Sequence, residues 1–178
     1  MRLSLKNVVL GGVFTALLAV SAFIRIPMPL VPITLQAEMA ILIGLLLGPR
    51  LGFCCTALYL VLGLVGLPIF AGGGGLGYVL KPSFGYLLGF CAGAVTAGLI
   101  ARKSARFLRL LGAALAGLAV IYLFGVAYYG ILALFVLESP LSFWPLMVNY
   151  VLIFLPTDIP LCALCAFLAS RLRPHLSK

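Results

Sequence analysis

The chain has 178 residues, of which 65% are hydrophobic and only 8% charged, and its mean hydropathy is +1.29. A soluble domain carries about a quarter charged residues, so this composition excludes a water-facing surface and indicates one integral membrane domain, residues 1–178. The formal net charge is +9, from twelve Lys and Arg against three Asp and Glu; the basic residues fall between apolar stretches, where they set topology and do not signal nucleic acid.

An all-α protein with six transmembrane helices is expected, because a bilayer core takes roughly 17–25 helical residues. The first span covers about 8–24 after a basic lead-in with Arg2 and Lys6, and reads as retained, not as a removed signal. Its small residues recur four apart, Gly11, Thr15 and Ala19 in one row and Gly12 and Ala16 in another. Such rows permit close helix approach, either inside this protein or against a separate membrane subunit. Pro27, Pro29 and Pro32 then exclude a regular helix and give a stiff connection.

The second span, about 35–49, contains Glu38 near its start. It is short for a bilayer, and short spans in transporters often meet an aqueous cavity. The third, about 51–68, stops at Gly66-Leu-Pro68. A glycine-rich loop follows, with Gly72 to Gly75, Gly77 and Lys81. The fourth span, 83–101, carries Gly85, Gly89, Gly93 and Ala97 four apart, a smooth ridge for close packing. The fifth covers about 110–137. Glu138 to Pro145 forms an interfacial turn with Trp144 as an anchor, and 146–170 is the last span.

Six spans place Arg2, Lys6, Arg50, Arg102, Lys103, Arg106, Arg109, Arg171, Arg173 and Lys178 on one side, and Arg25 and Lys81 on the other. Both termini are therefore expected in the cytoplasm. If the second segment does not cross, a five-span chain with an external N-terminus scores nine against three. Charge thus supports the C-terminus better than it supports the second span.

Asp158 is the sharpest chemical signal. It lies within the last span between Pro156 and Pro160, where a carboxylate costs at least ~2.5–3.5 kcal/mol. It persists there by facing a cavity or by pairing internally with Lys81 or Arg25. A proton relay needs a chain of ionisable groups, and the sequence offers no intramembrane histidine and no second mid-span acid, so ligand binding is the expected use. Lys81 lies on the external side beside glycines Gly73, Gly74 and Gly75, whose N–H groups can face an anion. A deep carboxylate and a lysine near a lid suit a small amphiphilic anion with an N–H-bearing end. Thr34, Gln36, Ser83, Tyr86, Tyr122, Asn149 and Trp144 are candidates to line that cup.

The five cysteines lie in apolar runs and read as small buried hydrophobes. Cys162 and Cys165 form C-x-x-C, but the one histidine, His175, is in the basic tail, so no metal site is expected. No catalytic set is visible, and the glycine loop lacks the Gly-Lys-Ser/Thr ending of a phosphate loop. The chain is not expected to be an enzyme or to hold a cofactor.

Val31-Pro-Ile-Thr-Leu-Gln36, Gly44-Leu-Leu-Leu-Gly-Pro-Arg-Leu-Gly52, Gly66-Leu-Pro-Ile-Phe-Ala-Gly-Gly73, Pro82-Ser-Phe-Gly-Tyr-Leu-Leu-Gly-Phe90 and Phe154-Leu-Pro-Thr-Asp158 together resemble the blocks of the BioY family. These are the biotin-binding S components of energy-coupling factor transporters in prokaryotic cytoplasmic membranes. The resemblance implies a six-helix S component with biotin under the loop between the third and fourth spans and Asp158 facing its ureido ring. It also implies docking of the first span's small face to a transmembrane coupling subunit, with two ATPase subunits driving uptake. Leu161 stands where the family often has a lysine, which gives Lys81 weight as the contact for biotin's carboxylate. The alternatives are an S component for another vitamin, a small intramembrane enzyme using Asp158, and a structural membrane subunit.

Overall fold

The computed structural model describes residues 5–28, 31–102, 106–135 and 142–176. Arg2, Pro29, Lys103, Leu137, Glu138 and Lys178, and the side chain of His175, lie outside the described residues.

The first helix, α1, runs Leu5–Ser21. Past it the chain enters the proline-rich connection, which is ordered by a two-residue antiparallel pair, β1 (Arg25–Ile26) and β2 (Ile33–Thr34), with Arg25 opposite Thr34. Proline lacks the N–H that a helix ladder needs, so the connection forms a small hairpin and not a helical turn.

The second helix, α2, is hydrogen-bonded over Gln36–Leu64, but Gly48 inside it sits at φ 81°, ψ 177°. Side chains with a Cβ rarely adopt that φ, and Pro49 next to it cannot donate to the ladder. The chain reverses here. A Cβ on Gly52 would lie 3.2 Å from Gly44 Cα, and Gln36 Nε2 donates to Tyr59 Oη at 2.5 Å. In a straight helix those two residues would stand about 35 Å apart. The segments expected at 35–49 and 51–68 are therefore two antiparallel arms of one kinked element. Counted as continuous elements, the described residues form five long helices and not six. The first arm, 36–47, is only about 18 Å long at 1.5 Å per residue, short of a ~30 Å hydrocarbon core.

A 3-10 turn at Leu76–Leu80 leads into α3 (Phe84–Ala101), and α4 spans Phe107–Phe135. The glycine ridge of α3 seats on α4. A Cβ on Gly85 would meet Phe124 O at 2.7 Å, one on Gly89 Ile121 O at 2.9 Å, and one on Gly93 Gly117 O at 2.8 Å. Without side chains there, the two backbones approach closely enough to interlock along several turns. On the other side of α3, a Cβ on Gly44 would lie 2.2 Å from Ala94 O, so α3 is held between α2 and α4.

The last apolar stretch is broken. A short helix α5 (Phe143–Met147) passes into a π-helical turn, Val148–Leu152, and α6 covers Leu155–Leu176. Asp158 is in the first turn of α6, not in the middle of an unbroken span over 146–170.

Gln36–Leu64, Phe84–Ala101, Phe107–Phe135 and Trp144–Pro174 are long and apolar enough to cross a membrane, and Leu5–Ser21 is a shorter apolar helix. Their outer faces stay apolar, with Leu17, Phe53, Leu123, Ile131 and Leu164 exposed. Lipid is the solvent that such faces require. Arg50, Arg102 and Arg173 gather at the Gly48 end, where Arg173 Nη1 donates to Ala101 O at 2.6 Å. Arg25 and Lys81 lie toward the opposite end, so these described cations segregate as the sequence pattern anticipates.

Candidate functional site

Below the loop between α2 and α3 lies a narrow cleft with about 500 Å³ of empty space, part of it open to solvent. Its polar wall includes Thr34, Gln36, Ser83, Tyr86, Tyr122 and Asp158, brought together from β2, α2, α3, α4 and α6.

Asp158 is 5% exposed. Its N–H bonds to Phe154 O at 2.9 Å, closing the first turn of α6, and its Oδ2 accepts the Tyr122 hydroxyl at 2.6 Å. A charge-assisted bond of this kind is roughly twice as strong as a neutral one, and the N-terminal end of a helix favours a carboxylate. Tyr86 and Tyr122 stand edge to face at 6.5 Å, and Phe154 lies 6.2 Å from Tyr86 and 6.4 Å from Tyr122. Tyr86 reaches this position by packing on α4 where Gly125 has no side chain, since a Cβ there would lie 2.6 Å from the ring. Its hydroxyl donates to Tyr150 O at 2.5 Å. In the π-turn that carries Tyr150, Phe154 N bonds to Val151 O. The break in the last span thus anchors a cleft side chain as well as starting α6.

The loop is built on Phe70. Its N–H bonds to Gly73 O at 2.8 Å and its carbonyl accepts Gly73 N–H at 3.1 Å, a tight turn that places Gly73 at φ 110°. The Phe70 ring fills the space where Gly63 lacks a side chain; a Cβ there would lie 2.1 Å from it. Gln36, Tyr59 and the loop form a chain, because Tyr59 Oη passes its own bond to Ile69 O at 2.8 Å. Tyr128 Oη donates to Val79 O at 2.5 Å, tying the loop to α4.

Several candidates stand elsewhere. Gly73, Gly74 and Gly75 are outside the cleft wall, which the loop supplies through Ala71 and Tyr78; the glycines serve the turn itself. Lys81 is exposed, with Nζ donating to Gly72 O at 2.9 Å and lying 4.8 Å from the Tyr78 ring centre. Asn149 is turned back onto Pro145 O at 2.8 Å, and Trp144 is 66% exposed. On α1, Thr15 is buried and donates to Gly11 O at 2.8 Å and Cys55 O at 3.3 Å, while Ala19 packs on the core. The Gly11, Thr15 and Ala19 row is therefore spent inside the protein against α2. Gly12 and Ala16 face outward, with nothing within 4 Å of a Cβ built on Gly12.

One expectation is overturned. A second acid is buried against the helix that carries Asp158, for Glu38 is 4% exposed and its backbone carbonyl accepts Cys165 Sγ of α6 at 3.5 Å. The sequence signal was available, an acid in an apolar segment of a chain with only three, but not its neighbour. Phe154, Phe90 and Tyr78 also line the cleft; as aromatic residues in an apolar chain they carry no signal that separates wall from core.

The profile of the BioY family matches residues 1–178. A probable biotin transporter BioY of Pyrococcus horikoshii is 40% identical over 169 residues, covering 94% of this chain and 96% of that protein. The biotin transporter BioY of Thermotoga maritima is 42% identical, covering 68% and 73%. A probable biotin transporter BioY of Lysinibacillus sphaericus is 46% identical over 127 residues, covering 70% of this chain and 65% of that protein. The crystal structure of the S-component for biotin from an ECF-type ABC transporter superposes with a TM-score of 0.84 at 25% identity, covering 98% of this chain and 95% of the other.

Proposed function

Since the chain belongs to the BioY family, we propose that it captures biotin as the substrate-binding S component of an energy-coupling factor transporter in a prokaryotic cytoplasmic membrane. The observation that carries this reading is Asp158, buried at the aromatic end of the cleft with one oxygen held by Tyr122. A ureido ring is flat and presents two N–H donors side by side. A carboxylate accepts both, and each charge-assisted bond contributes about 1.5–3 kcal/mol. The rings of Tyr86, Tyr122 and Phe154 supply the apolar walls for the fused bicycle. The valerate chain then leads toward the loop, where Lys81 meets its carboxylate after leaving Gly72 O.

Binding alone moves nothing across a membrane, and the sequence has no nucleotide loop. A transmembrane coupling subunit and two ATPase subunits supply the drive. Of the two small-residue rows on α1, Gly12 and Ala16 form the one left free to face that subunit, and both chain ends lie on the cytoplasmic side. Isothermal titration of the purified protein in detergent with biotin, riboflavin and thiamine tests the reading. Saturable binding of biotin alone is expected; binding of another vitamin in its place, or of none, overturns it.

A further inference from the structure

Glu38 stands behind the cleft and not in its wall. Neither of its carboxylate oxygens has a hydrogen-bond partner among the described residues, although the side chain is buried. The groups acting on it come from two packed helices. Asp158, Cys162 and Cys165 face it from α6, and Tyr122 from α4. Cys165 Sγ donates to the Glu38 backbone carbonyl at 3.5 Å, which leaves the carboxyl group itself unserved. Among the described residues, no lysine, arginine or histidine interacts with either acid.

Two adjacent buried carboxylates with no cation are costly. Each ion loses several kcal/mol of hydration, and the two repel across a medium of low dielectric. Carboxyl pairs in such places resolve the conflict by keeping one proton between them. The hydrogen bonds decide where it resides. Asp158 already accepts the Tyr122 hydroxyl, which supports its charge, whereas Glu38 has no such side-chain donor among the described residues.

We propose that Glu38 is a positioning residue that retains a proton and donates its O–H to Asp158, so that the pair carries a single negative charge directed at the cleft. The inference rests on the reading of Asp158 as the acceptor of a ligand's N–H groups, and it adds a specificity element to it. Tyr122 and Glu38 clamp the Asp158 carboxylate from two helices, leaving its remaining lone pairs fixed for two donors. A ligand presenting acceptors in place of N–H groups would meet a site with no proton to offer.

The test compares Glu38→Gln with Glu38→Met in the purified full chain. Gln retains a donor of similar length; Met fills the space without one. Glu38→Gln should bind biotin within about threefold of wild type and Glu38→Met about tenfold or more weakly, the loss expected for one charged-group hydrogen bond. Equal affinities for the two variants, whether both normal or both weakened, overturn the proposal. Infrared spectra of the ligand-free protein at neutral pH give a second reading. A protonated-carboxyl C=O band that shifts in heavy water should be present in wild type and lost in Glu38→Gln. Its absence from wild type, or its persistence in Glu38→Gln, overturns the proposal. If wild type binds no biotin, the reading of the ligand fails, while the infrared comparison still decides the carboxyl pair.

Discussion

At the deep end of the cleft Asp158 is 5% exposed and bonded to Tyr122; beside its mouth Lys81 is exposed and rests on Gly72 O at 2.9 Å. The two charges differ in what surrounds them. Asp158 is buried and held by the Tyr122 hydroxyl of α4, and its interactions act in a low dielectric, where they are strong. Lys81 rides on a loop in contact with solvent, where water and salt screen it and an ion pair contributes about 0–1 kcal/mol. On the proposed reading, ligand identity is read at the buried end, and the loop governs entry and retention.

The largest test of this contrast is Asp158→Asn, which keeps the shape but replaces a charged acceptor by an amide with one acceptor oxygen. With two charged-group bonds weakened, biotin affinity should fall about 100-fold or more, measured by equilibrium binding, with the protein still folded. Unchanged affinity would remove Asp158 from the site. Gly63→Ala probes the loop from beneath, since the new Cβ would lie 2.1 Å from the Phe70 ring. Overpacking of this kind costs about 1–3 kcal/mol. A lowered melting temperature and faster biotin release are expected; if release is unchanged, the loop does not retain ligand. Tyr122→Phe deletes only the hydroxyl on Asp158 and should weaken biotin about tenfold, with little effect on melting. Lys81→Ala is the smallest, a loss of several-fold at most. That loss should shrink as salt rises, and should be larger for biotin than for biotinamide. Equal losses for both would show that Lys81 does not meet the carboxylate.

Much of this arrangement can be read from single residues in the chain. The low charge and uninterrupted apolar stretches require a membrane, because no water-soluble surface can be made from them. Gly48-Pro49 and the proline-rich connection mark reversals, since backbone chemistry forbids a continuous helix through either. Asp158 stands out because a carboxylate in an apolar span is expensive wherever the span packs. The spacing of Gly85, Gly89 and Gly93 announces a close helix contact, and α4 fills it.

What remained hidden concerns which faces turn toward one another. Two small rows on α1 look alike in sequence, yet Thr15 is buried against Cys55 O while Gly12 faces outward. Periodicity gives the rows but not the rotation of the helix about its axis. Glu38 and Asp158 lie in different helices, and their meeting depends on how α2 folds back at Gly48 and how α6 packs on its first arm. Composition and backbone chemistry act residue by residue, so the chain alone reveals a membrane protein with a costly acid and a glycine-bearing loop. The tyrosine that holds this acid, and the second acid buried near it, come together only on folding. Those contacts join residues far apart in the chain, and packing geometry alone sets their distance.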